Sequence, residues 1–184
     1  MWCSTRWRAD RAWLLALGLL LSAAQALAHP QLPGSRLQGE ATLRYFGLRV
    51  YHARLWTLPD FRANQPADQP LVLELEYLRN LKGNAIAERS LQEMQRAGSI
   101  PEAQAQRWLT EMQRIFPDVK SGDRISGQLL PGQGVRFWHN GRLAGQMDDA
   151  LFARRFFGIW LASTTSEPDM RLALLGQAEA GLPR

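Results

Sequence analysis

Leu71-Val72-Leu73-Glu74-Leu75-Glu76-Tyr77-Leu78 (LVLELEYL) decides the architecture. Leu71, Leu73, Leu75 and Tyr77 fall on one side and Glu74 and Glu76 on the other, the period of two of an extended strand with one dry and one wet face. Such a strand belongs to an antiparallel sheet whose dry face something else must cover, because parallel sheets bury both faces. Upstream, Glu40 to Phe46 and Leu48 to Leu58 are two more β-branched, aromatic and alternating runs, pivoting at Gly47. In the second of these Val50, His52, Arg54 and Trp56 share one face, and Tyr51, Ala53 and Leu55 the other. Pro59 to Pro70 is a polar connection between them and the central strand.

Downstream the period changes. Asn84 to Ala97 reads as a short helix with Ala87, Leu91 and Met94 on one side. Ser99-Ile100-Pro101-Glu102 has the spacing of a capping box. It introduces a helix in which Ala105, Trp108, Leu109, Met112, Ile115 and Phe116 follow the i, i+3, i+4, i+7 template, until Pro117 stops it. Strands resume over Arg124 to Leu130, Gly134 to Trp138 and Leu143 to Met147, and Asn140-Gly141 predicts a tight hairpin between the last two. Asp148 and Asp149 are placed to cap a bulky helix, Ala150 to Leu161, and a final helix runs from near Pro168 to a stop at Gly176. Strands, helices, strands, helices is the order of an α+β domain: an antiparallel sheet with helices on one side.

The chain opens differently. Arg6, Arg8 and Arg11 precede the apolar run Trp13 to Leu21, and Ala26-Leu27-Ala28 offers small residues for a peptidase. That is the pattern of a cleaved signal peptide over residues 1–28, and the run is shorter than the ~20 residues of a membrane span. The expected organisation is therefore a signal peptide (1–28), a Pro/Gly-punctuated leader (29–36), one domain (37–178) and a short tail (179–184), in a periplasmic or secreted protein. Cleavage would remove three Arg and one Asp, taking the balance from 22 basic against 17 acidic residues to 19 against 16. The surplus is mild and scattered, so nucleic acid is not an expected partner. The single cysteine, Cys3, lies in the tag, which leaves the domain without disulfide, thiolate or Cys-based metal chemistry. No second long apolar run exists, so no transmembrane segment is expected after cleavage.

Most motifs for catalysis are missing. There is no GxSxG elbow for a serine hydrolase, and Gly132-Gln133-Gly134 precedes a strand rather than the helix a phosphate loop requires. His29, His52 and His139 lie far apart without HxxxH or HExxH pairing. A copper-chelating N-terminal His29 is the only metal alternative, and no metal or other cofactor is expected. Ser163 to Ser166 reads as capping residues, Asp148-Asp149 as a helix cap, and Glu74 and Glu76 as a solvated strand face rather than an acid–base pair. Three residues remain: Arg44, Tyr51 and Tyr77, all on strands of the proposed sheet. An inward Arg44 would have to be satisfied by a carboxylate side chain or an anionic ligand, and an outward one is a surface residue. By parity it shares a face with Thr42 and Phe46, which leaves both orientations open.

Several phrases occur together in order: Gly47 to Trp56 (GLRVYHARLW), Leu73-x-Leu75-x-Tyr77, Ile115-Phe116-Pro117-Asp118-Val119 with Gly122-Asp123, Gly134-Val135-x-Phe137-x-x-Asn140-Gly141, and Phe156-Phe157-Gly158-Ile159-Trp160-Leu161. The combination, over roughly residues 37 to 176, resembles the bacterial exported branch of the chalcone isomerase-like family. The resemblance implies an open-faced β-sandwich, a large antiparallel sheet covered by a layer of helices. Plant members close a chalcone into a flavanone by intramolecular oxa-Michael addition, and other members bind fatty acids in the same cleft. Arg44 is the nearest match to the plant arginine of the first core strand, and Tyr51 stands where a threonine would. Arg79 to Ala87 lacks the expected tyrosine, and Asp149 replaces a late serine or threonine. Most groups that assist the cyclisation are thus absent, while the cleft and the arginine survive.

The function expected is non-catalytic binding of a small apolar or carboxylate ligand, such as a fatty acid, in a sheet–helix cleft by Arg44, Tyr51 and Tyr77. The alternatives are an intramolecular lyase or isomerase for a polyphenol-like substrate, and a structural or partner-binding envelope protein whose helix Ala150 to Leu161 exposes an aromatic face. No catalytic residue and no oligomeric state is assigned.

Overall fold

The computed structural model describes residues 28–178. The expected signal peptide, apart from Ala28, and the tail from 179 to 184 lie outside the described residues. Six strands, β1 (Arg36–Tyr45), β2 (Leu48–Thr57), β3 (Leu71–Tyr77), β4 (Arg124–Leu130), β5 (Gly134–His139) and β6 (Arg142–Met147), form one sheet in sequence order. Every neighbouring pair is antiparallel. Helices α1 (Gly83–Arg96) and α2 (Glu102–Ile115) are inserted between β3 and β4, and α3 (Ala150–Leu161) and α4 (Pro168–Leu174) follow β6. This is the expected α+β architecture, an open antiparallel sheet with helices over one face.

The alternation works as the sequence indicates. Leu71, Leu73, Leu75 and Tyr77 are buried together with Leu55 of β2, Leu129 of β4 and Phe137 of β5. Against them pack Trp108 and Met112 of α2 and the aromatic residues of α3. Phe116, Phe137, Phe152, Phe156 and Trp160 form a chain of mostly edge-on ring contacts with centroids 5.0 to 6.1 Å apart, the arrangement aromatic quadrupoles favour. The helix Ala150–Leu161 therefore turns its aromatic face inward: Phe152, Phe156, Phe157 and Trp160 are buried. The exposed aromatic face expected of an envelope-binding protein does not exist on this helix, because the sheet needs those rings as its cover.

Asp149 caps α3 as the sequence suggests, its Oδ1 accepting from Phe152 N at 2.9 Å, while its Oδ2 accepts from the indole Nε1 of Trp108 at 2.8 Å. Both hairpins with two-residue loops turn through left-handed positions, Asn140-Gly141 at φ 49° and 79° and Phe46-Gly47 at φ 47° and 77°. The capping box at Ser99 does not form. The helix begins at Glu102 with Pro101 as its N-terminal boundary and no side-chain cap. The residue before a proline is driven out of helical geometry, so Ile100 cannot bring Ser99 over the first turn.

The wet face of the sheet is a charge network. Arg54 Nη1 reaches Glu74 Oε1 and Glu76 Oε2, both at 3.1 Å, and Arg124 Nη2 reaches Glu76 Oε2 at 3.0 Å. The leader straps across this face. His29 is buried, its ring 5.6 Å from Trp56 and its Nε2 3.5 Å from Glu74 Oε2, and the carbonyl of Gln31 accepts from Gln128 Nε2 at 2.7 Å. Glu74 and Glu76 are thus structural. The histidine contact, aided by Arg54 and opposed by burial, holds the Glu74 carboxyl below the usual range. No helix among the described residues is long and apolar enough to cross a membrane.

Candidate functional site

The helices leave part of the dry sheet face uncovered. Between β1–β3 and the helices α1 and α3 lies a cavity of about 280 Å³. Its sheet side is Leu43, Val50, Leu75 and Ile125, and its helix side includes Ile86, Phe156 and Trp160. The same periodicities that build the core build these walls, and the walls simply fail to meet.

Tyr51 and Tyr77 both line the cavity. They are direct cross-strand partners, Tyr51 on β2 opposite Tyr77 on β3, with rings 6.0 Å apart in an edge-on arrangement. Their hydroxyls differ. Tyr51 Oη accepts from Trp160 Nε1 at 2.9 Å. Tyr77 is 3% exposed, and among the described residues no side chain or backbone group hydrogen-bonds its hydroxyl. Burial pushes both phenols well above their ordinary value, so both stay protonated at any physiological pH. They are hydrogen-bond donors, not bases.

Charge gathers at the mouth. Arg79 follows β3, and Arg89 projects from α1 with its side chain 55% exposed. Arg89 Nη2 pairs with Glu93 Oε1 at 2.6 Å, and its guanidinium lies 5.6 Å from the ring centre of Tyr45. Glu93 also receives the Ser166 hydroxyl at 2.9 Å and lies 3.5 Å from Arg96. Arg79 has no ion-pair partner among the described residues. The Ser163 to Ser166 cluster otherwise serves turns: the Thr165 hydroxyl donates to the Ile159 carbonyl at 2.6 Å and accepts from Glu167 N at 3.2 Å.

Arg44 lies elsewhere. Leu43 and Tyr45 on either side of it line the cavity, while Arg44 is exposed outside it, opposite Arg49 of β2. A register shift falls between Leu43 and Arg44, and alternation sends the guanidinium to the opposite side from its neighbours. Of the three residues singled out from the sequence, the structure thus brings Tyr51 and Tyr77 together and leaves Arg44 apart. The cations that do reach the cavity, Arg79 and Arg89, went unrecognised. One signal was available: Ile86, Arg89, Ser90 and Glu93 recur at spacings of three and four, a single helix stripe that mixes apolar and charged residues.

The histidines form no common site. His29 meets Glu74, His52 meets Glu40 at 3.1 Å, and His139 lies 3.6 Å from Asp123. Among the described residues no group of three metal-ligating side chains converges.

Comparison with known proteins agrees with this architecture. A fatty-acid binding protein from Arabidopsis thaliana has a crystal structure that superposes with a TM-score of 0.59, at 14% identity, over 83% of this chain and 96% of that one. At that identity the likeness is one of fold. An uncharacterised protein of Haemophilus influenzae is 30% identical over 116 residues, which take in 63% of this chain and 56% of that protein. The chain thus matches little more than half the length of this bacterial relative. The family described as chalcone isomerase-like matches residues 30–176, from the leader strap to the glycine that ends α4. The chain therefore belongs to the chalcone isomerase-like family.

Proposed function

We propose that this protein binds, without transforming it, a small apolar molecule with an acidic head group. The tail would lie against the apolar walls, and the head would be held by Arg79 and Arg89 at the mouth and by the Tyr77 hydroxyl donating from within. The observation that carries this reading is the Tyr77 hydroxyl, which lines an apolar cavity of about 280 Å³ and has no hydrogen-bond partner among the described residues, so that it is free to donate to a ligand. The fatty-acid binding of the Arabidopsis thaliana protein supports the same class of ligand. The isomerase alternative, which needs Arg44 and a tyrosine as electrophilic stabilisers, loses the arginine, because Arg44 does not line the cavity, while the protonated tyrosines could still donate.

We further infer that the domain works outside the cytoplasm. This rests on the Arg-rich start, the short apolar run and the Ala26-Leu27-Ala28 site. Amino-terminal sequencing of protein from a periplasmic fraction should begin at His29, and a start at Met1 refutes it.

Binding is tested by titrating decanoic acid and decanol into the purified protein, alongside native mass spectrometry for a co-purifying lipid. Decanoate should bind more tightly than the alcohol. Replacing both Arg79 and Arg89 by Gln should remove that preference, a loss of about tenfold or more for hydrogen bonds to a charged group. Arg44→Gln should leave it unchanged. If nothing co-purifies and the double substitution leaves decanoate affinity intact, the proposal fails.

A further inference from the structure

The tip of the β1–β2 hairpin breaks two rules of a soluble surface at once. Phe46, with φ at 47°, occupies a left-handed position that a bulky aromatic residue adopts only under strain, where Asn or Gly is the usual choice. Its side chain is 88% exposed, with Tyr45 at 51% and Leu48 at 57% beside it. The Tyr45 and Phe46 rings touch edge-on at 4.5 Å, so the apex is one apolar knob. Directly behind it Arg44 and Arg49 stand opposite each other across the strand pair, both exposed and neither with an ion-pair partner among the described residues. Like charges facing across a ladder are destabilising. An aromatic apex backed by unneutralised arginines matches a surface that is apolar inside and anionic at its boundary.

We propose that this hairpin tip docks the protein onto an anionic phospholipid bilayer. Phe46 and Leu48 would enter the acyl boundary while Arg44 and Arg49 sit at the level of the phosphates. Tyr45 joins this surface to the cavity, because it belongs to both the exposed tip and the lining. Arg89 lies against the Tyr45 ring on the cavity side, the opposite side from Arg44, and is paired with Glu93. A second copy of the chain fits the tip poorly, since a symmetric contact would set the Arg44–Arg49 pair against its own image. A rigid protein partner is also disfavoured, because a knob of this size falls far short of the ~800 Å² per side that stable protein interfaces bury. Docking does not require the cavity to be occupied, so it can be tested without ligand.

The test is flotation with vesicles of phosphatidylcholine alone and of phosphatidylcholine containing phosphatidylglycerol. The protein should float with the anionic vesicles and not with the neutral ones, less so as salt rises. Phe46→Asn should lower binding roughly tenfold or more. Asn suits the left-handed turn, so the urea midpoint of this variant should be unchanged or higher, which separates lost docking from lost folding. Replacing Arg44 and Arg49 together by Gln should cost about thirtyfold on anionic vesicles. All variants share the same amino terminus, so any contribution of residues 1–27 cancels. The proposal is overturned if anionic and neutral vesicles bind alike, or if Phe46→Asn floats like the parent protein. It is also overturned if the tip is found to drive self-association, abolished by Phe46→Asn, with no vesicle binding.

Discussion

The two cavity tyrosines should respond oppositely to loss of the same atom. Tyr51→Phe removes the acceptor of the 2.9 Å bond from Trp160 Nε1, and Trp160 is 6% exposed, so its indole N–H has little access to water. Stranding a buried donor costs about 1–3 kcal/mol, and the urea unfolding midpoint should fall accordingly. Tyr77→Phe removes a hydroxyl that none of the described residues hydrogen-bonds. The ligand-free protein should lose little stability, since no hydrogen bond to the described residues goes with the hydroxyl. Ligand affinity should reverse the ranking. Tyr77→Phe should weaken decanoate by ~0.5–1.5 kcal/mol, roughly two- to tenfold, the net worth of one hydrogen bond. Equilibrium urea denaturation of both variants without ligand, followed by calorimetric titration, reads both effects. If Tyr77→Phe destabilises the empty protein as much as Tyr51→Phe does, the Tyr77 hydroxyl has a protein partner and the case for it as a ligand handle collapses.

Three further outcomes are expected. Asp149→Ala removes both the cap of α3 and the acceptor for Trp108 Nε1, so it should lower the stability by about 2–4 kcal/mol, with Asp149→Asn intermediate, in urea unfolding. Gly83→Ala puts a Cβ into the carbonyl of Phe116 at the start of α1, and by overpacking should cost ~1–3 kcal/mol and disturb ligand binding through the displaced helix. The third concerns acid. Glu74 and Glu76 have folded pKa values below their unfolded ones, Glu74 through His29 first and then Arg54, Glu76 through Arg54 and Arg124 against the cost of desolvation. Their contribution is fully present above the unfolded carboxylate value of about 4.3 and is lost as pH falls through the folded values. Thermal melts should therefore drop steeply below that pH, and Glu74→Gln should lower the plateau and flatten the slope; an unchanged acid limb contradicts the network's role.

The fold was legible because its strands each have one dry face. Alternation at Leu71–Tyr77, the Asn140-Gly141 hairpin and the Asp149 cap are local signals, and each forms as the chemistry of its own few residues dictates. Ser99 misled because a capping box is also local chemistry, and Pro101 within it vetoes the geometry. The site was half legible. Tyr51 and Tyr77 share the dry face by parity, but a cavity is a failure of two layers to meet, and no residue type marks it. Arg44 alternates with Leu43 and Tyr45, but which of the two sets faces the cavity is decided by the layer that covers the sheet, which parity alone does not name. Arg89 looked like a solvated helix residue because exposure at a cavity mouth and exposure to bulk water leave the same mark in sequence.

The order of the sheet has a consequence for how the molecule folds. β1–β2–β3 and β4–β5–β6 are two meanders whose strands pair with near neighbours in sequence, but β3 meets β4 only across the whole α1–α2 insertion. Closing that long loop is the entropically expensive step, so the β3–β4 seam should zip after both meanders exist. The cavity takes Tyr51, Leu75 and Tyr77 from one side of the seam and Ile125 from the other. It comes into being only when the seam closes, and amide exchange should find β3 and β4 protected together, or not at all.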